Sequence, residues 1–396
     1  AIESVFLVFF LGWALFRAYD PMINHTEQLM DFAFLNASIE ATTFPPDDPW
    51  LRGNGVSYYY LGYLMMGLLT KLTGISSAVT YNLSLALFPA MAAAAVFALV
   101  VTLVSRAGAS LRCAAFFGLA GVMLLGVIGN LEGVLELVYM RGAGSPTFWE
   151  GLDIKGMEAP AASTSWFPQD NWWWWRATRV IDTLTANGQS LDYTITEFPS
   201  FSFILGDLHP HVVSLPFALM FLSLGLNAFL LGDRLGFGVG WLRRHWGQTL
   251  GIAFLLGSLA FTNIWDYPVY LAIFGLIVFI RCYSDESSGY SRDIRCLYRR
   301  VVLNTVVVVM PIAVVAVVLF LPFYLDLSSQ ASGILPVTGL GTRPVLFLLV
   351  VGLFFLLTVV FLLRQLPDLG RLNTSDRIMS VVIGMVGVME IQTTQF

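Results

Sequence analysis

The sequence predicts an all-α integral membrane protein. It would be a polytopic helical bundle of about nine spans, since each crossing takes ~20 apolar residues, with two long outer loops containing juxtamembrane helices. Three observations predict this fold. The 396-residue chain is 57% hydrophobic and 12% charged, with mean hydropathy +0.74, which is more apolar surface than one aqueous core absorbs. Runs such as 78–105, 301–323 and 344–363 are long enough to span and carry almost no charge. Basic and acidic residues also separate into different loops, as they do on the two faces of a membrane.

In chain order, hydropathy marks crossings near 1–17, 78–104, 113–130, 212–232, 247–263, 267–281, 301–323, 344–363 and 378–394. The run 57–72 is ambiguous and decides the topology, because one extra crossing swaps the side of every later loop. It opens with Tyr58, Tyr59, Tyr60 and Tyr63 and closes at Lys71, and tyrosine favours the half-wet interface. Treated as non-spanning, it leaves 13 of the 21 basic residues on one side, among them Arg106, Arg243, Arg299 and Arg371, with only six of the 26 acids. That side is cytoplasmic by the positive-inside rule, and the N-terminus shares it. The loops 18–77 and 131–211 then lie outside, and 57–72 becomes a helix on or dipping into the outer leaflet. The whole of 1–396 reads as one transmembrane domain, expected to be a fragment of a longer chain.

The first outer loop holds Asp20, His25, Glu27 and Asp31. Glu27 and Asp31 are four apart, so on a helix they share a face and could together hold a cation or a hydroxyl; a solvated helix face is the plainer alternative. Downstream, Asp47 and Asp48 sit between prolines, as an anion cluster or as turn formers. The stretch Gly206-Asp207-Leu208-His209-Pro210-His211 precedes the crossing near 212. In extended backbone, Asp207, His209 and His211 would project to one side and suit a divalent metal or a phosphate, with helix capping as the alternative. Asp266, in Asn263-Ile264-Trp265-Asp266-Tyr267-Pro268, either caps the next helix or serves a site. Arg176 and Arg179 follow the run Trp172–Trp175 and could meet an anionic ligand or anchor at headgroups.

Walker, GxGxxG, HExxH and GxSxG patterns are missing, so ATP-driven transport and serine-hydrolase chemistry lose their usual markers. Nothing points to nucleic acid as a partner.

Taken together, Glu27 to Asn36, Phe44 to Trp50, Tyr58-Tyr59-Tyr60-Leu61-Gly62, Phe203 to His211 and Asn263 to Pro268 resemble the bacterial and archaeal "YYY" membrane protein family, named for its tyrosine run. That family is similar to the GT-C class of integral membrane glycosyltransferases. The resemblance implies a multi-pass protein of the prokaryotic plasma membrane that moves a sugar from a polyprenyl-phosphate donor to an acceptor on the outer face. It also implies an acidic catalytic residue in the first outer loop. Asp31 is the preferred base and Glu27 the alternate. The lipid phosphate would be met by a divalent metal, Mg or Mn, on Asp207, His209 and His211, or by Arg176 and Arg179, with Asp266, His25 and Tyr59 completing the substrate site. The chain departs from the class in having no Asp-x-Asp in its first loop. Two rivals stay open: an accessory subunit docking into a larger membrane complex, and a transporter of a polar solute.

Overall fold

The computed structural model describes residues 1–157, 165, 167–169, 173–184, 187, 189–231, 236–287, 294–328 and 341–369. In chain order the elements are α1 (Ile2–Tyr19), α2 (Gln28–Glu40), α3 (Leu61–Thr73), α4 (Ser77–Arg106), α5 (Leu111–Gly126), α6 (Glu132–Tyr139), α7 (Pro146–Leu152) and α8 (Trp173–Arg176). A short antiparallel hairpin follows, β1 (Asp182–Leu184) with β2 (Ser190–Tyr193). Then come α9 (Pro199–Leu205), α10 (Pro210–Leu230), α11 (Val239–Arg244), α12 (Trp246–Thr262), α13 (Asp266–Ser287), α14 (Ile294–Leu319), α15 (Leu321–Asp326) and α16 (Pro344–Leu369).

Six of these helices, α1, α4, α10, α13, α14 and α16, are long and apolar enough to cross a membrane. The expected crossings at 113–130 and 247–263 appear as the shorter apolar helices α5 and α12, of 16 and 17 residues. The expected crossing at 378–394 lies outside the described residues. The protein is a polytopic membrane protein.

The chain forms two compact units. The first comprises Ala1–Gly126 and Gly206–Ala331, the second Val127–Leu205 and Ser332–Phe396. In the first unit α4 packs against α1, α5 and α10, and α12 and α13 pack against both α10 and α14. Small residues let these helices approach closely. A Cβ on Gly118 would lie 2.8 Å from Phe97 and Val101 of α4, and one on Gly257 would lie 2.6 Å from the Ala316 carbonyl of α14.

The 30 residues of α4 make a rod of about 45 Å, longer than the ~30 Å hydrocarbon layer. Its first turns carry buried Thr80, Tyr81 and Ser84, and against them lie α2 and α3. Helix α3 has 13 residues and stops at Gly74, whose left-handed backbone (φ 68°) returns its N–H to Thr70 O at 2.9 Å. It is too short to span. Gly62, Tyr63, Met66, Gly67 and Thr70 form its buried stripe, while Leu68, Leu69 and Leu72 are exposed, the amphipathic pattern of a helix lying at an interface. Tyr63 departs from the interfacial role its sequence suggests: it is 1% exposed, because it follows Tyr60 by three residues and falls on the inward stripe.

In the second unit, much of the expected outer loop 131–211 folds around its own core. Trp149, Leu152, Ile154, Met157 and Val180 pack with Leu346, Val350 and Val351 of α16. Ser145 caps α7 through Phe148 N–H, with Pro146 next in the chain.

Candidate functional site

The densest group of chemistry-bearing side chains in the first unit is built where the start of α2 meets the turn before α10. Pro210 is the first residue of α10, where its missing N–H costs nothing, and it holds His209 in extended backbone (φ −70°, ψ 146°). Helix formation therefore begins between His209 and His211, so the Asp-x-His-x-His run does not continue as the extended strand expected. Gly206 turns the chain at φ 72°, with Arg17 Nη1 3.1 Å from where a Cβ would stand. Arg17 is itself buried and donates twice to Asn82 Oδ1, at 3.1 and 2.9 Å, and Gln28 Nε2 donates to Gly206 O at 3.0 Å. These bonds seat the turn over α2.

Asp31, in the first turn of α2, is wholly enclosed. One carboxylate oxygen accepts from the Tyr63 hydroxyl at 2.5 Å; the other accepts from Leu208 N–H at 2.8 Å and from the Tyr81 hydroxyl at 3.4 Å. Burial pushes its pKa up to about 6, against the opposing pull of the Tyr63 bond, the His209 charge and the Leu208 N–H. As placed, Asp31 offers no surface to a substrate. The void beside it, lined by Tyr59, Gly62, Tyr63, Leu208, Pro210 and Val213, measures ≈ 10 Å³, no more than about one water.

Glu27 is the N-cap of α2, and its carbonyl accepts from Asp31 N–H at 3.0 Å, so the two residues stand one helical turn apart. The Glu27 carboxylate turns to His209 Nε2 at 2.8 Å. The two side chains stay partly open, at 52% and 31%. His209 Nδ1 in turn lies 3.1 Å from His211 Nδ1. Next to them, both oxygens of buried Asp207 accept from the Thr26 hydroxyl at 2.8 Å, and Glu27 N–H adds a bond. Asp207 thus caps α2, where a carboxylate also meets the positive end of the helix dipole, although burial still lifts its pKa to about 6. Thr26 adopts φ 38°, a costly backbone state for a β-branched residue, and it is held there by the Asp207 contact.

Among the described residues no three His, Cys, Asp or Glu side chains are grouped to hold a metal ion. The facing imidazole nitrogens and the Thr26-bound Asp207 do not form the oxygen-rich shell that Mg or Mn requires.

Asp266 begins α13, and its carboxylate accepts from Asn263 Nδ2 at 3.2 Å and from Ser214 of α10. Tyr59 reaches the same turn through Ile264 N–H. His25 pairs with Asp20 at 2.9 Å on the exposed surface. Asp48 accepts from Trp50 N–H and Leu51 N–H, both at 2.8 Å, which is the turn-forming role.

The two arginines belong to the second unit. Arg176 Nε donates to Glu136 at 2.6 Å, with both side chains nearly buried, and Arg179 lies over the Trp175 ring at 3.8 Å. Neighbouring Glu132 is fully enclosed with no donor on either oxygen.

The contributions of Thr26, Gln28, Tyr63, Tyr81 and the Leu208 N–H go beyond the sequence reading. Only Tyr63 carried a signal, its place on the 3.6-residue stripe through Met66 and Thr70. No curated protein and no solved structure matches the chain. A family model matches residues 1–395, and the chain belongs to the family described as uncharacterized membrane protein (DUF2298).

Proposed function

We propose that this protein is a membrane glycosyltransferase that moves a sugar from a polyprenyl-phosphate donor to an acceptor hydroxyl on the outer face. Glu27 is the base, His209 its partner, and Asp31 a positioning residue. The observation that carries this assignment is the 2.8 Å contact between the half-exposed Glu27 carboxylate and His209, beside an Asp31 that is closed off. A general base must come within hydrogen-bond reach of the proton it removes, and Glu27 meets that condition where Asp31 does not.

In the reaction, the acceptor oxygen forms its bond to the anomeric carbon while Glu27 takes the hydroxyl proton. The bond from that carbon to the lipid-phosphate oxygen breaks, and the phosphate leaves with the electron pair. His209 orients the Glu27 carboxylate. Asp31 holds Leu208 N–H and so fixes the backbone from which His209 projects. The donor class is supported by the resemblance of the motif set, and the outer face by the two-sided charge pattern. Arg176 is committed to Glu136 and Arg179 to Trp175, so neither is assigned to the donor phosphate, and no step runs through a metal.

The test supplies purified protein in liposomes with polyprenyl-phosphate donors labelled in the sugar and counts label leaving the lipid. Transfer by the unaltered protein, reduced about 100-fold or more in Glu27→Gln, is expected. No transfer from any donor, or full transfer by Glu27→Gln, removes the reading.

A further inference from the structure

At the far end of α4 and α10 from the Asp31 group, a cleft of ≈ 270 Å³ opens between the two helices. Its lining divides by chemistry. Leu99 and Leu226 are apolar; Thr102, Ser223, Asn227 and Arg106 are polar. Both walls belong to helices long and apolar enough to cross a membrane, so the apolar part faces the depth of acyl chains. Arg106 ends α4 and is exposed, level with the loops that gather most of the chain's arginines.

Two donors are available in this cleft. Arg106 takes part in no ion pair or hydrogen bond among the described residues. The Asn227 carbonyl oxygen accepts from Gln248 at 3.2 Å, a bond that fixes the amide and leaves its N–H2 group to donate. The Thr102 and Ser223 hydroxyls return to Ala98 O and Leu219 O, both at 2.8 Å, which satisfies them without a ligand. A guanidinium and an amide N–H2 above an apolar slot suit one singly charged phosphodiester with hydrocarbon attached. The volume is just under the ~300 Å³ at which pockets begin to hold drug-sized ligands, so it fits a headgroup and its first methylenes.

We infer that this cleft binds an anionic phospholipid of the leaflet beside the basic loops, its phosphodiester on Arg106 and Asn227 and its chain against Leu99 and Leu226. The site is independent of the glycosyl-transfer reading. It gives the protein a preference for anionic over zwitterionic membrane at a defined place, beyond the diffuse attraction of its other arginines.

The full chain, purified in neutral detergent and stripped of lipid, is titrated separately with short-chain phosphatidylglycerol, phosphatidylcholine of the same chain length, and inorganic phosphate. Retained lipid is read by native mass spectrometry and the unfolding midpoint by heating. Phosphatidylglycerol is expected to be retained and to raise the midpoint, and the other two are not. Arg106→Gln should weaken its binding about fivefold, the factor expected of one basic side chain at a membrane surface. Ser223→Leu, which fills the cleft with Arg106 intact, should abolish retention. Arg243→Gln, on the same side but outside the cleft lining, should change nothing. Equal retention of both lipids, equal loss in the Arg243 and Arg106 variants, or an Arg106 effect that is the same without lipid would overturn the inference. Stabilisation by inorganic phosphate equal to that by the lipid would make this a soluble-anion site and overturn it as well.

Discussion

The Tyr63 hydroxyl stands 2.5 Å from an Asp31 carboxylate oxygen, with both groups closed off from solvent. Removing that hydroxyl leaves a buried oxygen without its closest donor, so Tyr63→Phe should cost about 1–3 kcal/mol. Asp31→Ala strips the partner of both Tyr63 and the Leu208 N–H and should cost about 3–5 kcal/mol, with Asp31→Asn between wild type and alanine. Denaturant unfolding in detergent checks the series. A Tyr63→Phe cost below about 0.5 kcal/mol would show that the contact contributes nothing net.

Asp31 and Asp207 have folded-state pKa values raised to about 6 by burial, above the ordinary aspartate value of 3.8. A raised value means that the folded state binds the proton more tightly. The stability this confers is present below pH 4 and lost as pH climbs through 6. For Asp31 the loss is about 3 kcal/mol. Unfolding measured from pH 4 to 7 should therefore show a fall with rising pH that flattens in Asp31→Asn. A stability that rose over that window in the wild type but not in Asp31→Asn would reverse the sign and contradict the assignment.

How the site relates to the sequence can be traced residue by residue. Hydropathy was enough to place α4, α10 and α14, and the tyrosines with Lys71 set 57–72 apart from the long apolar runs, where the structure has the 13-residue α3. The acid and histidine motifs were legible because so few ionisable groups stand near apolar runs. Their pairings were not. The four-residue spacing put Glu27 and Asp31 one turn apart, as the Asp31 N–H to Glu27 O bond has them, but that Asp31 is enclosed and Glu27 half-exposed depends on what packs over α2. Leu208 contributes a backbone N–H, which no side-chain pattern can announce.

Gly257 faces α14 so closely that a Cβ would stand 2.3 Å from Phe320 and 2.6 Å from the Ala316 carbonyl. A ring can turn aside, but a backbone oxygen within a helix cannot. Gly257→Ala should destabilise by about 1–3 kcal/mol. Gly275→Ala in α13, where nothing lies within 4 Å, should be neutral or stabilising by up to about 1 kcal/mol. Equal effects of the two substitutions in thermal unfolding would refute the close crossing of α12 and α14.

In the second unit, Glu132 and Glu136 share one arginine, and Arg176 pairs with Glu136. Burial first and the Glu136 charge second raise the Glu132 pKa well above the usual carboxylate range. Glu132 is thus an acid at neutral pH and can donate toward Glu136. Its contribution to stability is full below about pH 4.5 and is lost progressively as pH rises to about 9. Glu132→Gln should flatten that fall between about pH 5 and 9, while Arg176→Leu should cost about 3–5 kcal/mol by stranding Glu136. A pH dependence of unfolding identical in wild type and Glu132→Gln over that window would contradict this.

The first unit is made of two stretches of chain, Ala1–Gly126 and Gly206–Ala331, with the segment between them folded into the other. During synthesis, therefore, Asp31 leaves the ribosome well before its partner Leu208, 177 positions later. Tyr63 and Tyr81 arrive first and can shelter one side of the carboxylate before α10 is made. The Glu27–His209 contact closes only when α10 enters, so that pair forms after the tyrosine cradle, and a chain halted before His209 carries the cradle without it.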